Sequence, residues 1–273
     1  MKTWLFLLLA SLSNLASALP IQERQIDPVA LSQLTSALGI PEDADLISAT
    51  QQRWLRHVGQ ERWEMAELSP SQRAFVLQWA EDQALFAPWT PFYKTYDKAL
   101  ILGATTSHMQ KRLDYLRQLW EAGVHFNEIV WLTGDRPLDS RVDGLTPRCK
   151  NESEAAHIIW EEANLPEGMR ALTVTFVAVP MMKGEGSSSK RPNTEDTLVA
   201  WLQTAPQPCT ALFVSDQPFC GYQFAVIKAT LPDAFAFDVV GPGATSTKHP
   251  AAAAIILDSI ARWIYQDPTL HIF

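Results

Sequence analysis

The chain has 273 residues, of which 47% are hydrophobic, and a formal net charge of −8. This length and apolar content suit one large domain, or a domain with an appendage, built around a hydrophobic core. Ordinary contents of proline and glycine argue against a disordered or repeat protein. The negative charge argues against a general nucleic-acid-binding protein, because phosphate backbones require a basic face.

The first 18 residues have the pattern of a secretory signal peptide. Lys2 precedes a short apolar run that begins at Trp4, and Ala16 and Ala18 form a small-x-small cleavage site. The apolar run is shorter than the roughly 20 residues of a membrane span. We expect cleavage after Ala18, a periplasmic or secreted protein, and no stable membrane span after cleavage. An uncleaved anchor is the alternative.

Residues 19–96 are predicted to form an N-terminal helical cap. Asp27-Pro28 begins one helix, a second starts near Asp45, and Ser69, Pro70 and Gln72 have the spacing of a capping box at a third. The aromatic residues of this region are expected to pack in the core. Lining of a ligand cleft is the alternative.

Residues 97–273 are predicted to form a Rossmann-like α/β domain with a mainly parallel sheet of about five strands. Apolar strand-like runs alternate with stripes at helical spacing from Lys98 onward, a pattern that requires crossover connections between parallel strands. The long loop from Lys183 to Arg191 is either a mobile flap or a passive insertion.

Polar residues follow each strand-like run, where the ligand site of a parallel α/β sheet is found. No dinucleotide fingerprint, P-loop, HExxH, paired CxxC or GxSxG motif is present, so no cofactor is indicated and an all-protein metal site is not expected. The candidate ligand-binding residues are Gly103, Thr105, Ser107, Arg112, Arg136, Asn193, Thr194 and Ser215, and the candidate catalytic residues are Glu154, Asp216 and Asp135.

These residue types favour a small anionic ligand. Arg112 and Arg136 would hold its anionic group, and Asn193 and Thr194 would orient it. The carboxylate of Glu154 or Asp216 would act as the general base. Helix capping is the alternative explanation for many of these polar residues, with capping patterns at Ser107–Gln110, Asn151–Glu154 and Asn193–Asp196.

Six short motifs occur in order between Lys98 and about Pro232. They are Leu102-Gly103, Arg112, Thr133-Gly134-Asp135, Ser153-Glu154-Ala155, Asn193-Thr194-Glu195-Asp196-Thr197 and Ser215-Asp216. In this order they resemble the motifs of the YdcF/SanA/ElyC-like proteins, an α/β family of bacterial envelopes with some cytosolic members. The sequence departs from the family where a histidine and an arginine are expected after the last motif, because Phe219 and Tyr222 stand there.

The resemblance implies a Rossmann-like sheet with strand order 3-2-1-4-5 and a role in envelope or peptidoglycan maintenance. A cytosolic relative is associated with binding S-adenosylmethionine. We therefore expect a phosphate- or sugar-bearing ligand or envelope precursor at the carboxyl edge of the sheet. If the protein is an enzyme, it would act on this ligand as a transferase or hydrolase. A non-catalytic ligand- or partner-binding module is the alternative, and the missing histidine and arginine favour it.

The three cysteines, Cys149, Cys209 and Cys220, exclude a disulfide-rich scaffold. A strand of about 3.3 Å per residue separates Cys209 from Cys220, so these two are too far apart to pair. A Cys149–Cys220 bridge and three unpaired thiols remain the two alternatives.

The export hypothesis is tested at the N-terminus. We expect Edman sequencing or mass spectrometry of the exported protein to show Leu19 as its first residue. An exported protein that retains Met1 would contradict cleavage and favour the anchor.

Overall fold

The computed structural model describes residues 25–57, 60–65, 67–145, 148–183, 189–244 and 247–271. The predicted signal peptide and residues 184–188 of the predicted flap lie outside these ranges. Among the described residues, no helix is both long and apolar enough to cross a membrane.

The helices begin where their capping residues predict. Asp27 accepts a hydrogen bond at the first predicted helix, Asp45 at the second, and Ser69 with Gln72 forms the capping box at the third. The α-helices of the described residues are α1 Pro28–Ala37, α2 Leu46–Trp54, α3 Pro70–Asp82, α4 Thr106–Glu121, α5 Glu152–Glu162, α6 Glu167–Arg170, α7 Thr194–Gln203, α8 Cys220–Thr230 and α9 Ala252–Gln266, and Arg62–Glu64 and Pro268–His271 are 3₁₀ helices.

The fold is α/β, with a parallel five-stranded sheet at its centre. The strands are β1 Thr95–Leu102, β2 His125–Gly134, β3 Thr173–Val179, β4 Met182–Lys183, β5 Ser189–Lys190, β6 Thr210–Val214 and β7 Ala236–Val240. The order in the sheet is β3-β2-β1-β6-β7, while β4 and β5 form a separate antiparallel pair. The five strands of the sheet, taken in chain order, are therefore arranged 3-2-1-4-5, which confirms the predicted order.

The central strand β1 contributes to hydrophobic clusters on both faces of the sheet. Ala99 and Ile101 pack with α4 and α5, whereas Leu100 and Leu102 pack with α7, α8 and α9. This alternation follows from the two-residue repeat of a strand. The crossovers beside β1 therefore lie on opposite faces, and a crevice opens at the carboxyl end of the strand.

The N-terminal helices share the second of these clusters. Leu31 and Leu34 of α1 and Trp79 of α3 are buried with Leu100 of β1, and the Trp79 Nε1 donates a hydrogen bond to the Ala30 carbonyl over 2.8 Å. Helix α2 contacts α9 through a hydrogen bond from Gln51 to the Ala261 carbonyl. The boundary predicted after residue 96 falls inside β1, and the helices pack directly on the sheet domain.

None of the three cysteines forms a disulfide bond within the part of the chain that the structure describes. Cys149 belongs to the cluster beneath α4 and α5, whereas Cys220 belongs to the cluster on the opposite face of the sheet. The sheet therefore lies between Cys149 and Cys220, so the alternative of a bridge between these two cysteines is wrong.

The shared core predicts that the N-terminal helices and the sheet unfold together. We expect Leu34→Ala, which empties a fully buried site on α1, to lower the free energy of unfolding of the whole chain by about 2–5 kcal/mol. Val29→Ala on the same helix is the matched control, because Val29 is 65% exposed. Denaturant titration followed by tryptophan fluorescence would measure both variants, and a separate early transition of the N-terminal helices would contradict the prediction.

Candidate functional site

A cavity of about 960 Å³ opens at the carboxyl edge of the sheet. It reaches from Gly103 after β1 to Asn193 before α7, and residues of the N-terminal helical region form part of its wall. Of the predicted site residues, it is lined by Gly103, Thr105, Ser107, Arg112, Arg136, Asn193, Thr194 and Asp216. The predicted convergence of dispersed residues on one pocket therefore holds for most of them.

The charge of the cavity wall differs from that of the whole chain. Among the described residues, five lining side chains are acidic, namely Glu61, Asp139, Glu152, Glu195 and Asp216, and seven are basic, namely Arg56, Arg62, Lys111, Arg112, Arg136, Arg191 and Arg262. An acidic protein thus has an excess of cations around this cavity, which favours an anionic ligand.

A buried arginine and an aspartate form the floor of this cavity. Arg112 extends from α4 and donates from Nε and Nη2 to Asp216 Oδ1, over 2.8 and 2.5 Å. Its Nη1 donates to the carbonyls of Leu102 and Gly103 at the end of β1. Both charged residues are almost fully buried. Arg112 therefore reaches inward from its helix to a carboxylate of the protein.

The second oxygen of Asp216 orients a histidine that lines the cavity. His108 Nδ1 lies 2.5 Å from Asp216 Oδ2. Burial alone would raise the pKa of Asp216, but Arg112 and then His108 hold it well below its usual range. An ionised carboxylate only accepts hydrogen bonds, so Nδ1 of His108 must be the donor. In neutral His108, Nε2 then carries the lone pair, and it makes no hydrogen bond to any described residue.

A second buried network joins the end of β2 to the start of α4. Arg136 donates from Nε to Glu152 over 2.7 Å and from both terminal nitrogens to Asp143, over 2.9 and 3.1 Å. Asp143 in turn accepts a hydrogen bond from the backbone N–H of Thr106 at the start of α4. These bonds fix the loop after β2 against the loop after β1.

Gly103 allows this network to approach the end of β1. A Cβ atom at this position would overlap the Glu152 carboxylate and would lie 2.8 Å from the Leu132 carbonyl oxygen. Position 103 of the Leu-Gly motif therefore requires glycine, because any side chain there would displace Glu152.

The Glu152 carboxyl group is unusual for its burial. It is 5% exposed, lines the cavity, and accepts hydrogen bonds from Arg136 and from the Gly134 backbone N–H. Burial raises the pKa of Glu152 from its usual value of 4.5 to about 7, with Arg136 opposing this effect. It is therefore a group able to exchange a proton near neutral pH.

The structure changes the interpretation of the two predicted anion-binding arginines. All of the N–H groups of Arg136 have acceptors, because its remaining ones donate to the carbonyls of Ala104 and Pro137. Arg112 donates four hydrogen bonds to protein acceptors. Both arginines hold the site together, and neither presents a free guanidinium fork to a ligand.

Three of the predicted site residues, Glu154, Asp135 and Ser215, do not line the cavity. Glu154 is exposed, and its carboxylate accepts from the backbone N–H of Lys150 beside the Asn151 cap of α5. Asp135 is half-buried and its backbone N–H donates to Val179. Ser215 is fully buried beneath the floor, where its Oγ has no hydrogen-bond partner.

The predicted caps are present at two helices and absent at a third. Asn151 caps α5, and Asn193 forms a capping box with Asp196 at α7. Helix α4 starts two residues earlier than the Ser107 cap requires, because Thr105 takes the N-cap position without a capping hydrogen bond. The first turn of α4 therefore faces the cavity with Ser107 at its second position, and the capping explanation for Ser107 is wrong.

Residues from distant elements surround Phe219, where the family resemblance leads one to expect a histidine. The His108 ring lies edge-on to the Phe219 ring, with a centroid distance of 5.9 Å. The guanidinium carbon of Arg62, from the first 3₁₀ helix, lies 4.3 Å from the Phe219 centroid. A histidine and an arginine are thus brought to this position from other parts of the chain. Sequence reasoning missed both.

Among the described residues, no cluster of histidine, cysteine, aspartate and glutamate side chains has the arrangement of a metal site. No family model, curated protein or solved structure matches the chain.

The raised pKa of Glu152 predicts a specific pH dependence of stability. The folded protein holds this proton more tightly than the unfolded chain, so the stabilising contribution is complete below about pH 4.5 and is lost as the pH rises through 7. Relative to Glu152→Gln, the wild-type free energy of unfolding should fall by roughly 3 kcal/mol across this window. Denaturant titrations at several pH values would measure the difference in unfolding free energy between wild type and Glu152→Gln. Titration of the other carboxylates affects both proteins and cancels in this difference. A pH-independent difference would contradict the assignment.

Proposed function

We propose that the cavity binds a small anionic, phosphate- or sugar-bearing ligand and that His108 acts on it as general base in a hydrolase or transferase reaction. The observation that carries this proposal is the alignment of His108 by the buried Arg112–Asp216 ion pair. An ionised carboxylate behind an imidazole fixes its tautomer and stabilises the imidazolium that forms on proton transfer.

The start of α4 is the proposed contact for the anionic group. No described residue accepts a hydrogen bond from the backbone N–H groups of Ser107 and His108. These groups lie at the positive end of a 16-residue helix. The side chains of Thr105 and Ser107 line the cavity beside them and add hydroxyl donors. The anion would therefore lie next to the imidazole of His108.

The proposed reaction needs two proton transfers. Nε2 of His108 takes the proton of a water molecule or an acceptor hydroxyl as its oxygen attacks the phosphorus or sugar carbon. The bond from that atom to the leaving oxygen breaks, and this oxygen receives a proton from Glu152, whose pKa of about 7 leaves it partly protonated at neutral pH. Two titratable groups in contrasting environments are typical of acid–base catalysis.

The cellular role follows from the resemblance and the predicted signal peptide. We propose that the substrate is a precursor or component of the cell envelope and that the protein acts in the periplasm or outside the cell. The histidine and arginine missing after the last motif supported the alternative of a non-catalytic module. The positions of His108 and Arg62 beside Phe219 remove the main reason for that alternative.

A panel of chromogenic probes tests the proposal. We expect turnover of p-nitrophenyl phosphate, bis-p-nitrophenyl phosphate or a p-nitrophenyl glycoside, and a loss of about 10²-fold or more in kcat for His108→Gln. His125→Gln is the matched control, because His125 is exposed at the start of β2 and does not line the cavity.

Calorimetry with inorganic phosphate should show similar affinity for wild type and His108→Gln, since the backbone N–H groups remain. Phosphate binding without turnover of any probe would support the non-catalytic module. Equal turnover by His108→Gln and wild type would exclude His108 as the base.

A further inference from the structure

Arg62 is a cavity-lining arginine without a protein acceptor. Its side chain makes no hydrogen bond to any described residue, and its Nε is buried without a hydrogen-bond partner. Asp258 forms an ion pair with Arg62, but its carboxylate lies 3.7 Å from Nε, beyond hydrogen-bonding distance. The side chain as a whole is 31% exposed, whereas a buried donor such as Nε is normally satisfied, because an unsatisfied buried donor costs free energy. Arg62 therefore has donors available for a ligand.

The surrounding residues cannot supply the missing acceptor. Asp258 on α9 is fully buried and accepts two hydrogen bonds from Arg262, over 3.0 and 2.9 Å, and one from the Arg56 backbone N–H. Glu61 pairs with Arg56 and Arg191. The carboxylates of this wall are already engaged by other arginines, so Arg62 is an additional positive charge.

The positive charge of Arg62 also affects the pKa of the neighbouring Arg56. Burial, followed by the charges of Arg62 and Arg262, lowers the pKa of the Arg56 guanidinium, and the opposing effects of Asp258 and Glu61 do not cancel this. Positive charge at this end of the cavity is therefore undercompensated in the free protein, and an anion would relieve it.

Arg62 is close to the proposed catalytic histidine. Its guanidinium carbon lies 4.3 Å from the Phe219 centroid, and the His108 ring centroid lies 5.9 Å from the same point. The guanidinium carbon of Arg62 and the centre of the His108 ring therefore lie no farther apart than the sum of these two distances. One sugar-sized ligand can reach both groups, and both line the same cavity of about 960 Å³.

We infer that Arg62 binds a second anionic group, so that the ligand class is a sugar-sized molecule with two separated phosphate groups. This inference rests on the proposed function, in which the first phosphate lies at the start of α4. A planar guanidinium with free N–H groups suits a phosphate better than a neutral hydroxyl.

Paired sugar phosphates provide the test. We expect calorimetry to show that fructose 1,6-bisphosphate binds wild-type protein at least about tenfold more tightly than fructose 6-phosphate. Arg62→Gln should abolish this preference while leaving the affinity for the monophosphate nearly unchanged. Arg148→Gln is the control for simple loss of charge, because Arg148 is exposed, paired with Glu162 and outside the cavity. It should keep the preference.

The outcomes separate this inference from the function on which it rests. Binding of both sugars with equal affinity by wild type, or a preference that survives in Arg62→Gln, overturns the role of Arg62 and leaves the phosphate site at α4 intact. Binding of neither sugar overturns both. The melting temperature of unliganded Arg62→Gln should change little, because the loss of the contacts with Phe219 and Asp258 is offset by relief of the repulsion between Arg62 and Arg56. If it falls, Arg62→Lys, which keeps the charge, must recover part of the preference for the inference to stand.

Discussion

The buried ion pair between Arg112 and Asp216 holds together the elements that form the candidate site. Arg112 extends from α4, Asp216 follows β6, and the remaining donors of Arg112 bind the carbonyls that end β1. One guanidinium therefore joins three elements at the point where the crossovers diverge to opposite faces of the sheet. Removal of either partner would leave an uncompensated buried charge, which costs about 3–5 kcal/mol. The position of His108 depends on the same carboxylate, so the stability and the proposed chemistry of the site have a common origin.

The arginines of the cavity divide into two kinds according to their acceptors. Arg112 and Arg136 have protein acceptors for nearly all of their N–H groups and are structural. Arg62 has none among the described residues. A sequence shows that an arginine follows a strand, but it does not show which carboxylate reaches it through the fold. This is why Arg136 was predicted as a ligand contact, whereas its acceptors Asp143 and Glu152 were not identified.

Periodicity and capping chemistry predicted the fold well, because these signals are local. Asp27, Asp45 and Ser69 begin their helices through hydrogen bonds within three residues. The strand order is not a local signal, and its prediction needed the family resemblance together with right-handed crossovers. The site was predicted only as a location. Asn151 caps α5 as expected, yet the acid that turns inward is Glu152 and not Glu154, because Glu154 remains at the exposed cap. His108 lies on an amphipathic helix, and its partner Asp216 is close only in the folded chain, so no local pattern marks it.

The N-terminal helical region contributes to the cavity as well as to the core. Arg56 and Arg62 come from this region, and both depend on α9, where Asp258 is buried among arginines. The hydrophobic cluster that α1 and α3 share with β1 determines how these arginines face the edge of the sheet. The region supplies two of the seven lining cations, Arg56 and Arg62, and only one of the five lining acids, Glu61. The proposed ligand recognition therefore needs both parts of the chain, whereas the groups of the proposed acid–base chemistry all come from the sheet domain.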